Sequence, residues 1–355
     1  PRCWGVGRGG WGVGRERSVM GVERVVSAGD VLPGESGLLP RGAARFRVYL
    51  ELAKPGIVRM VLVAAAVGYV MGALRFDGAS GVGVGGWRFF GIGLLCLVGT
   101  ALSAGGANAL NMVMESRRDG CMARTAGRPL PAGRLGRGEG LLAGLAMSLC
   151  GLGVLAAGVS FGAAAVSALT IVTYLLFYTP LKPVTPWSTV VGAFPGALPP
   201  LLGWCAAASM RDGGAWAGLG EAGGWSLVAL LFVWQVPHVM AISWKYRGEY
   251  EAGGYRVLPS VDPSGAKTSL AAVAWSLALV PISLVPVMVM PAGVLGVGYM
   301  AVAIMGGVAF VGAAVAMSVR RTASSATAMF VVTIVYLPVV LLAMVGDALS
   351  TGLLG

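Results

Sequence analysis

Two carboxylates and one amide recur at intervals of four residues in the segment from Asn108 to Pro131. Asn111, Glu115 and Asp119 would share one face of an α-helix, about 6 Å apart at each step, because a helix rises about 1.5 Å and turns about 100° per residue. Oxygen ligands of this kind suit Mg²⁺, which proteins hold with one or two carboxylates, waters and the phosphates of a substrate. The spacing therefore favours a Mg²⁺ site formed by these three residues.

A cluster of arginines follows or interrupts this array: Arg117, Arg118, Arg124 and Arg128. Negative charge at the C-terminus of a helix opposes the helix dipole, so the carboxylates require a cation nearby. The arginines alone would supply it as solvated ion pairs, and the two acids would then be interfacial residues at the end of a membrane helix. The same guanidinium groups would equally suit a phosphate-bearing substrate that arrives with Mg²⁺.

A second polar cluster lies between Trp234 and Pro259. His238, Lys245 and Glu249 follow one another at i, i+7 and i+11, which predicts one helical face with His238 deepest in the membrane. His238 is the only histidine of the chain. It is either hydrogen-bonded to a neighbouring helix or functional, and ionisable groups inside a membrane favour the second interpretation.

The elements that must position these residues are strongly apolar. The chain is 56% hydrophobic and only 12% charged, whereas a soluble domain has about 25% charged residues. Runs of about 20 apolar residues, long enough to cross about 30 Å of hydrocarbon, cover 57–74, 90–113, 140–158, 160–178, 188–208, 224–243, 269–290, 293–318 and 327–348. We predict an all-α integral membrane protein with nine transmembrane helices.

The basic residues predict the orientation. If the N-terminus is cytoplasmic, every Lys and Arg except Arg75, Arg88 and Arg211 falls on the cytoplasmic side, as the positive-inside rule requires. Both polar loops then face the cytoplasm, and the protein is a multi-pass protein of the cytoplasmic (inner) membrane. The net charge of +11 is explained by this topology, and the absence of a basic segment interleaved with aromatic residues excludes nucleic acid as a predicted partner.

The chain divides into a tail and one membrane domain. Residues 1–42 are rich in Gly and Arg without periodicity, and we predict a disordered basic tail. Residues 1–19 precede Met20 and are interpreted as sequence upstream of the true start. Residues 43–355 form the predicted transmembrane domain, in which the prolines of the fifth span predict a kinked helix that lines a cavity.

Three motifs carry a resemblance to the protohaem IX farnesyltransferase (haem O synthase) family, within the UbiA-like superfamily of intramembrane prenyltransferases. The first reads NMVMESRRDGCMARTAGRPLP and ends at Pro131, the second is YTPLK ending at Lys182, and the third reads WQVPHVMAISWKYRGEY from Trp234. The Leu-x-Lys-Pro sequence ending at Pro55 resembles the entry motif of the family. Lys54 and Arg59 are interpreted as anchors at the membrane interface. The family usually has an arginine at the position that Gly56 occupies here, and Arg59 could alternatively supply its positive charge.

The resemblance implies a UbiA-like prenyltransferase fold around a central cavity. It also implies transfer of a farnesyl group from farnesyl diphosphate to a vinyl group of protohaem IX (haem B), giving haem O. The implied cofactor is Mg²⁺. The implied metal ligands are Asn111, Glu115, Asp119 and Glu249, and Lys245 is a further implied catalytic residue. The implied substrate-binding residues are Arg124, Arg128, Lys182, Arg247, His238 and Tyr178.

The tail of the isoprenoid is expected to lie among aromatic side chains such as Tyr178, Trp234 and Trp244, and His238 is expected to contact haem as an axial ligand or as a polar neighbour. The implied partners are the two substrates and the lipid bilayer, with contact to a downstream haem A synthase or to terminal oxidase assembly factors left open. Three alternatives remain: a related prenyltransferase with a quinone-precursor or chlorophyllide acceptor, a polytopic transporter and a non-catalytic membrane scaffold. A transporter is expected to show inverted repeats and charges at the membrane midplane.

Overall fold

The structure, a computed structural model, describes residues 41–80, 86–212, 214–291 and 293–354. Nearly all of the predicted disordered tail, including the residues before Met20, therefore lies outside the described residues. Within the described ranges the chain is helical and has no β-strand. The helices are α1 (Arg41–Ala53), α2 (Pro55–Ser80), α3 (Trp87–Asp119), α4 (Ala123–Ala126), α5 (Arg137–Gly158), α6 (Phe161–Val172), α7 (Thr179–Leu181), α8 (Ser188–Ala197), α9 (Pro199–Asp212), α10 (Ala222–Lys245), α11 (Arg247–Ala252), α12 (Leu258–Val261), α13 (Ala266–Val289), α14 (Val297–Arg320) and α15 (Ala323–Leu354).

Nine helical stretches in these ranges are long and apolar enough to span a membrane, and each overlaps one of the predicted runs. They are Pro55–Arg75, Trp87–Asp119, Arg137–Gly158, Phe161–Leu181, Ser188–Arg211, Ala222–Lys245, Ala266–Val289, Val297–Arg320 and Ala323–Ser350. The prediction of an all-α membrane protein is therefore confirmed.

Two spans are irregular. The fifth is broken between α8 and α9, with Pro195 inside α8 and Pro199 at the start of α9, so the predicted kink is confirmed. The fourth contains a π-helical turn, Thr173–Tyr178, between α6 and α7. The sequence analysis did not predict this turn, although such turns occur often at functional sites.

The first span packs closely against the broken fifth span through glycines. A Cβ atom at Gly203 would lie 1.9 Å from the carbonyl oxygen of Ala65, and one at Gly68 would lie 1.9 Å from that of Pro200. Small residues allow membrane helices this close approach. The contact holds α2 beside the kink, where both elements reach the cavity described below.

The end of α3 and two loops meet at one end of the bundle. The Arg118 guanidinium donates to the carbonyl oxygens of Gly253 and Gly254, each at 3.2 Å. The Arg256 backbone N–H donates to the carbonyl oxygen of Lys182 at 2.8 Å. The end of α3, the loop after α7 and the loop after α11 are therefore joined, and the polar motifs of the sequence lie together.

Replacing Asp262 with Ala should destabilise this end of the bundle. The buried Asp262 carboxylate accepts from the Thr268 backbone N–H at 2.8 Å and from its hydroxyl at 3.0 Å, and leaving these groups unpaired costs about 1–3 kcal/mol. Burial raises the pKa of Asp262, but the hydrogen bonds from Thr268 outweigh it, and the pKa lies below its ordinary value. The stabilisation is therefore complete above about pH 3.9, the ordinary pKa of Asp, and is lost at lower pH.

Thermal unfolding of the purified protein in detergent measures this effect. The variant should melt below the wild type at pH 7, and the difference should shrink as the pH falls below about 3.9. Equal melting temperatures at pH 7 would contradict the assignment.

Candidate functional site

The predicted polar face of α3 is formed and buried. Asn111, Glu115 and Asp119 are 1%, 6% and 1% exposed, respectively, and α3 remains helical as far as Asp119. Two carboxylates removed from water in this way must be neutralised by cations or engaged in hydrogen bonds. The interpretation of these acids as solvated interfacial residues is therefore wrong.

Each residue of this face has a basic partner. Lys182 Nζ lies 2.7 Å from Glu115 Oε1, and Arg128 Nη1 lies 2.7 Å from Asp119 Oδ2. The partners come from the loops after α7 and after α4, so the pairs join separate segments of the chain. Because the Glu115 and Asp119 side chains are only 7% and 2% exposed, removing either partner would leave a buried charge unpaired.

Asn111 is fixed by hydrogen bonds on both sides of its amide. Its Oδ1 accepts from Lys54 Nζ at 2.8 Å, and its Nδ2 donates to Thr179 Oγ1 at 3.0 Å. Thr179 Oγ1 in turn donates to the carbonyl oxygen of Tyr174, at 2.9 Å. The π-helical turn thus provides the carbonyl that completes this chain of hydrogen bonds.

The interpretation of Lys54 as an interface anchor is wrong. Its backbone has φ 55°, a left-handed conformation that non-glycine residues seldom adopt and that persists at sites where the surroundings enforce it. This conformation links α1 to α2 and delivers the ammonium group to Asn111. Burial, followed by repulsion from Arg128, lowers the pKa of Lys54 to about 7, while Arg59 is exposed.

The polar face of α3 and its basic partners line a cavity of about 200 Å³. Its walls carry two carboxylates, from Glu115 and Asp119, and four basic groups: Lys54, Arg124, Arg128 and Lys182. Positive charge therefore exceeds negative charge, which favours a polyanionic ligand over a lone metal ion. Burial lowers the pKa of Lys182, but Tyr178 and Glu115 outweigh this effect, and its pKa lies well above the ordinary value. Lys182 therefore contributes a positive charge to the cavity at neutral pH.

A second cavity of about 280 Å³ adjoins the first and is mainly apolar. Tyr174 and Tyr178 line both cavities, with ring centroids 5.6 Å apart. The remaining lining residues are Ile57, Val61, Ala104, Ala107, Asn108, Thr170, Thr189, Gly192, Ala193, Pro195, Gly196, Gln235 and Val239. The paired cavities fit an amphipathic ligand that has a polyanionic head and an apolar tail.

The single helical face predicted for His238, Lys245 and Glu249 is wrong, because α10 ends at Lys245 and Tyr246 leaves the helix with φ −109° and ψ 23°. Lys245 and Arg247 are exposed, over the rings of Tyr246 and Trp244, respectively. Neither is among the residues that line the cavity.

Glu249 lies beside the cavity at the start of α11. Its Oε2 accepts from the Arg124 backbone N–H at 3.2 Å, and the Arg124 guanidinium lies over the rings of Tyr246 and Tyr250. Within the ranges that the structure describes, no three His, Cys, Asp or Glu residues come together as a metal site. The structure therefore does not bring Glu249 to the acids of α3, and its role as a metal ligand stays a prediction.

The aromatic residues of the cavities differ from those expected. Trp234 lies against α15, where its indole N–H donates to the carbonyl oxygen of Thr333 at 2.9 Å. Trp244 is buried against Gly265. Of the three expected residues only Tyr178 is in place, and it is joined by Tyr174, Tyr250 and Tyr255. The four-residue spacing of Tyr174 and Tyr178 was the signal in the sequence that could have identified this pair.

The donor set is suitable for Mg²⁺ that arrives with a phosphate ligand. Glu115 and Asp119 each use one carboxylate oxygen in the ion pairs described above, and each has a second. One or two carboxylates with substrate phosphates is the usual protein environment of Mg²⁺. Glu115 and Asp119 are therefore suited to hold the ion. Asn111 Oδ1 accepts from Lys54 but has a second lone pair, and its role as a metal ligand stays a prediction.

Comparison with known sequences identifies relatives over most of the chain. A sequence profile of the UbiA prenyltransferase family matches residues 61–342. A protein of Solibacter usitatus named protoheme IX farnesyltransferase is 38% identical over 83% of this chain and 96% of its own length. A protein of Opitutus terrae with the same name is 40% identical over 67% of this chain and 72% of its own length.

Solved structures share the fold at low sequence identity. A digeranylgeranylglyceryl phosphate synthase superimposes with a TM-score of 0.68 at 15% identity, covering 86% of this chain and 99% of the other. A UbiA homologue from Archaeoglobus fulgidus bound to DMAPP and Mg²⁺ superimposes with a TM-score of 0.55 at 12% identity, covering 85% and 98% of the two chains. These similarities show that the chain shares the helical fold of these proteins.

Proposed function

Because this chain belongs to the UbiA prenyltransferase family, we propose that it transfers the farnesyl group of farnesyl diphosphate to a vinyl group of protohaem IX. The products are haem O and diphosphate. The observation that carries this proposal is the polar cavity with an excess of basic groups, joined through Tyr174 and Tyr178 to an apolar cavity. The choice of farnesyl and protohaem is supported by the names of the relatives.

The diphosphate head group occupies the polar cavity. Lys182, Arg128 and Lys54 each contact a residue of α3, and these contacts orient their charges in the cavity. Bound Mg²⁺, held by Glu115 and Asp119, would neutralise charge on the diphosphate leaving group. Pre-oriented charges of this kind stabilise a departing anion without reorganisation at the moment of reaction.

The isoprenoid tail occupies the apolar cavity. The bond between C1 and oxygen then lies near the rings of Tyr174 and Tyr178, which line both cavities. The faces of these rings carry negative partial charge and stabilise the allylic cation that forms as the bond breaks. The apolar walls also protect the cation from premature capture by water.

The proposed transfer consumes one water molecule for each farnesyl group. The C1–O bond of farnesyl diphosphate breaks with its electron pair on diphosphate, and the terminal vinyl carbon of protohaem bonds to C1. The resulting cation on the carbon next to the porphyrin ring takes a hydroxyl group from water, whose proton is released. No general base is required for the first step, because the nucleophile is a π bond.

The protein is a multi-pass membrane protein, and we place it in the cytoplasmic membrane with the polar cavity opening to the cytoplasm. The excess of Lys and Arg on that side supports this orientation. Farnesyl diphosphate would then enter from the cytoplasm, and its tail would point into the membrane.

Competition between acceptors tests the proposal. Membranes that contain the protein receive labelled farnesyl diphosphate, Mg²⁺ and protohaem IX, mesohaem (with ethyl in place of vinyl groups) or an aromatic quinone precursor. Label should enter protohaem alone. Label in the quinone precursor, with unlabelled protohaem, would replace this proposal by the related prenyltransferase activity.

Replacing Ala104 with Leu should shorten the apolar cavity. Ala104 lines this cavity seven residues before Asn111 on α3, which places it about 10 Å deeper along the helix axis. The variant should raise the KM for farnesyl diphosphate at least about tenfold, the lower end of the effect of one methylene group in an apolar pocket, and leave the KM for geranyl diphosphate nearly unchanged. Val98→Leu, at an exposed position of the same helix, is the control. Equal changes for both substrates would contradict this placement of the tail.

A further inference from the structure

Tyr255 lines the polar cavity with a hydroxyl group that has no hydrogen-bond partner. The residue is 5% exposed, and none of the described residues donates to its hydroxyl oxygen or accepts from it. Native proteins seldom bury a polar group in this way, because the group gives up its hydrogen bonds to water without replacement. An unpaired hydroxyl on the wall of a cavity with an excess of positive charge therefore indicates a hydrogen bond to an anionic ligand.

The Tyr255 hydroxyl shares the electrostatic environment of the acids on α3. The charges that act on it are chiefly those of Glu115, Lys182 and Asp119, and all three residues line the polar cavity. Lys182 Nζ also lies 5.9 Å from the centre of the Tyr255 ring. Burial, followed by the negative charge of Glu115, raises the pKa of Tyr255 above its ordinary value. The hydroxyl therefore keeps its proton at neutral pH and can donate it in a hydrogen bond.

The loop after α11 fixes the position of Tyr255. Gly254 has φ 67°, a left-handed conformation that glycine adopts readily, and its carbonyl oxygen accepts from Arg118 at 3.2 Å. The Arg118 guanidinium also lies over the Tyr255 ring, 5.8 Å from its centre. The Tyr255 backbone N–H donates to the carbonyl oxygen of Tyr250 at 2.8 Å, and its carbonyl oxygen accepts from Ser260 Oγ at 3.0 Å. These contacts hold the ring at the cavity wall.

We propose that the Tyr255 hydroxyl donates a hydrogen bond to the diphosphate leaving group of the prenyl substrate. The identity of this ligand rests on the proposed function. Lys182 and Arg128 are paired with acids of α3, whereas the Tyr255 donor is unpaired, so diphosphate gains this hydrogen bond without breaking another.

The hydrogen bond contributes most as the leaving group departs. When the C1–O bond breaks, its electron pair passes to the diphosphate oxygen, and the bond from Tyr255 strengthens with the growing negative charge. Tyr255 keeps its proton throughout, so it stabilises the diphosphate anion and is unchanged at the end of the reaction.

Thermal stability distinguishes this role from a structural one. Tyr255→Phe keeps the ring and breaks no hydrogen bond among the described residues, and it removes an unpaired polar group from a buried position. Without ligand, the variant should therefore melt at or above the temperature of the wild type. Tyr336→Phe is the matched control, because Tyr336 is a buried tyrosine of α15 that does not line the polar cavity.

Pyrophosphate binding and steady-state kinetics of the full-length protein test the proposal. Inorganic pyrophosphate is titrated into purified protein with Mg²⁺, and farnesyl transfer to protohaem is measured with the same preparation. Tyr255→Phe should bind pyrophosphate about 10- to 100-fold more weakly and lower kcat by a similar factor, the range expected for one hydrogen bond to a charged group. The KM for farnesyl diphosphate should change less than about threefold, because the hydrogen bond strengthens only as the C1–O bond breaks.

Failure of this proposal is distinguishable from failure of the proposed function. Pyrophosphate affinity and kcat equal to those of Tyr336→Phe would overturn the role of Tyr255 and leave farnesyl transfer to protohaem standing. A lower melting temperature of Tyr255→Phe with unchanged pyrophosphate affinity would also overturn it, since the hydroxyl would then be structural. Weaker pyrophosphate binding in Tyr255→Phe, with a wild type that does not farnesylate protohaem, would overturn the proposed acceptor and support the hydrogen bond.

Discussion

Replacing Glu115 with Gln should reduce farnesyl transfer about 10²- to 10³-fold, the loss that follows removal of one electrostatic stabiliser of a transition state. Gln keeps the shape of the side chain but removes a charge that would hold Mg²⁺. In the wild type, Lys182 Nζ lies 2.7 Å from Glu115 Oε1, and the substitution removes this anionic partner. Asp119→Asn should act in the same way, because Asp119 is the second buried carboxylate of the cavity.

The decisive comparison is activity at equal protein content. Each variant is assayed in membranes over a range of Mg²⁺ concentrations, and Glu251→Gln, which changes an exposed acid of α11, is the matched control. At equal content of folded protein, the cavity variants should bind protohaem as the wild type does and lose turnover. Activity within twofold of the control would contradict the role of these acids.

Replacing Lys182 with Met should lower kcat/KM for farnesyl diphosphate by about 10²-fold, since the variant loses a fixed positive charge against the leaving group. Met retains much of the length and apolar surface of the lysine stem. The Glu115 carboxylate would lose its cation, so part of the effect would be a weaker structure. Thermal unfolding of the same preparation separates this part from the catalytic loss.

Lys267→Met is the matched control, because Lys267 is an exposed lysine at the start of α13. Its activity and melting temperature should equal those of the wild type. If Lys182→Met instead retained its affinity for farnesyl diphosphate and its turnover, the leaving group would not lie beside Lys182.

The features that depend on the spacing of residues along a helix and on local composition were predictable from the sequence. The nine apolar runs needed only length and hydrophobicity, and the polar face of α3 needed only a regular helix through Asn111, Glu115 and Asp119. The kink between α8 and α9 followed from its prolines. Each of these properties is local along the chain.

The features that were missed depend on places where the backbone leaves regular helical geometry and on tertiary contacts. The left-handed backbone of Lys54 and the end of α10 at Lys245 changed which basic groups reach the cavity. A helical projection assumes that the helix continues, so it grouped Glu249 with His238. The packing of α10 on α15 decided that His238 and Trp234 face Thr333, which no pattern within either segment indicates.

The most direct test of the central claim uses the purified protein in liposomes with protohaem IX, farnesyl diphosphate and Mg²⁺. The extracted haem is analysed by mass spectrometry, and released diphosphate is measured in parallel. We predict a haem that has gained one farnesyl and one hydroxyl group, formed in equal amount with diphosphate and absent with EDTA or in Glu115→Gln. Unchanged haem from folded protein that binds both substrates would contradict the claim.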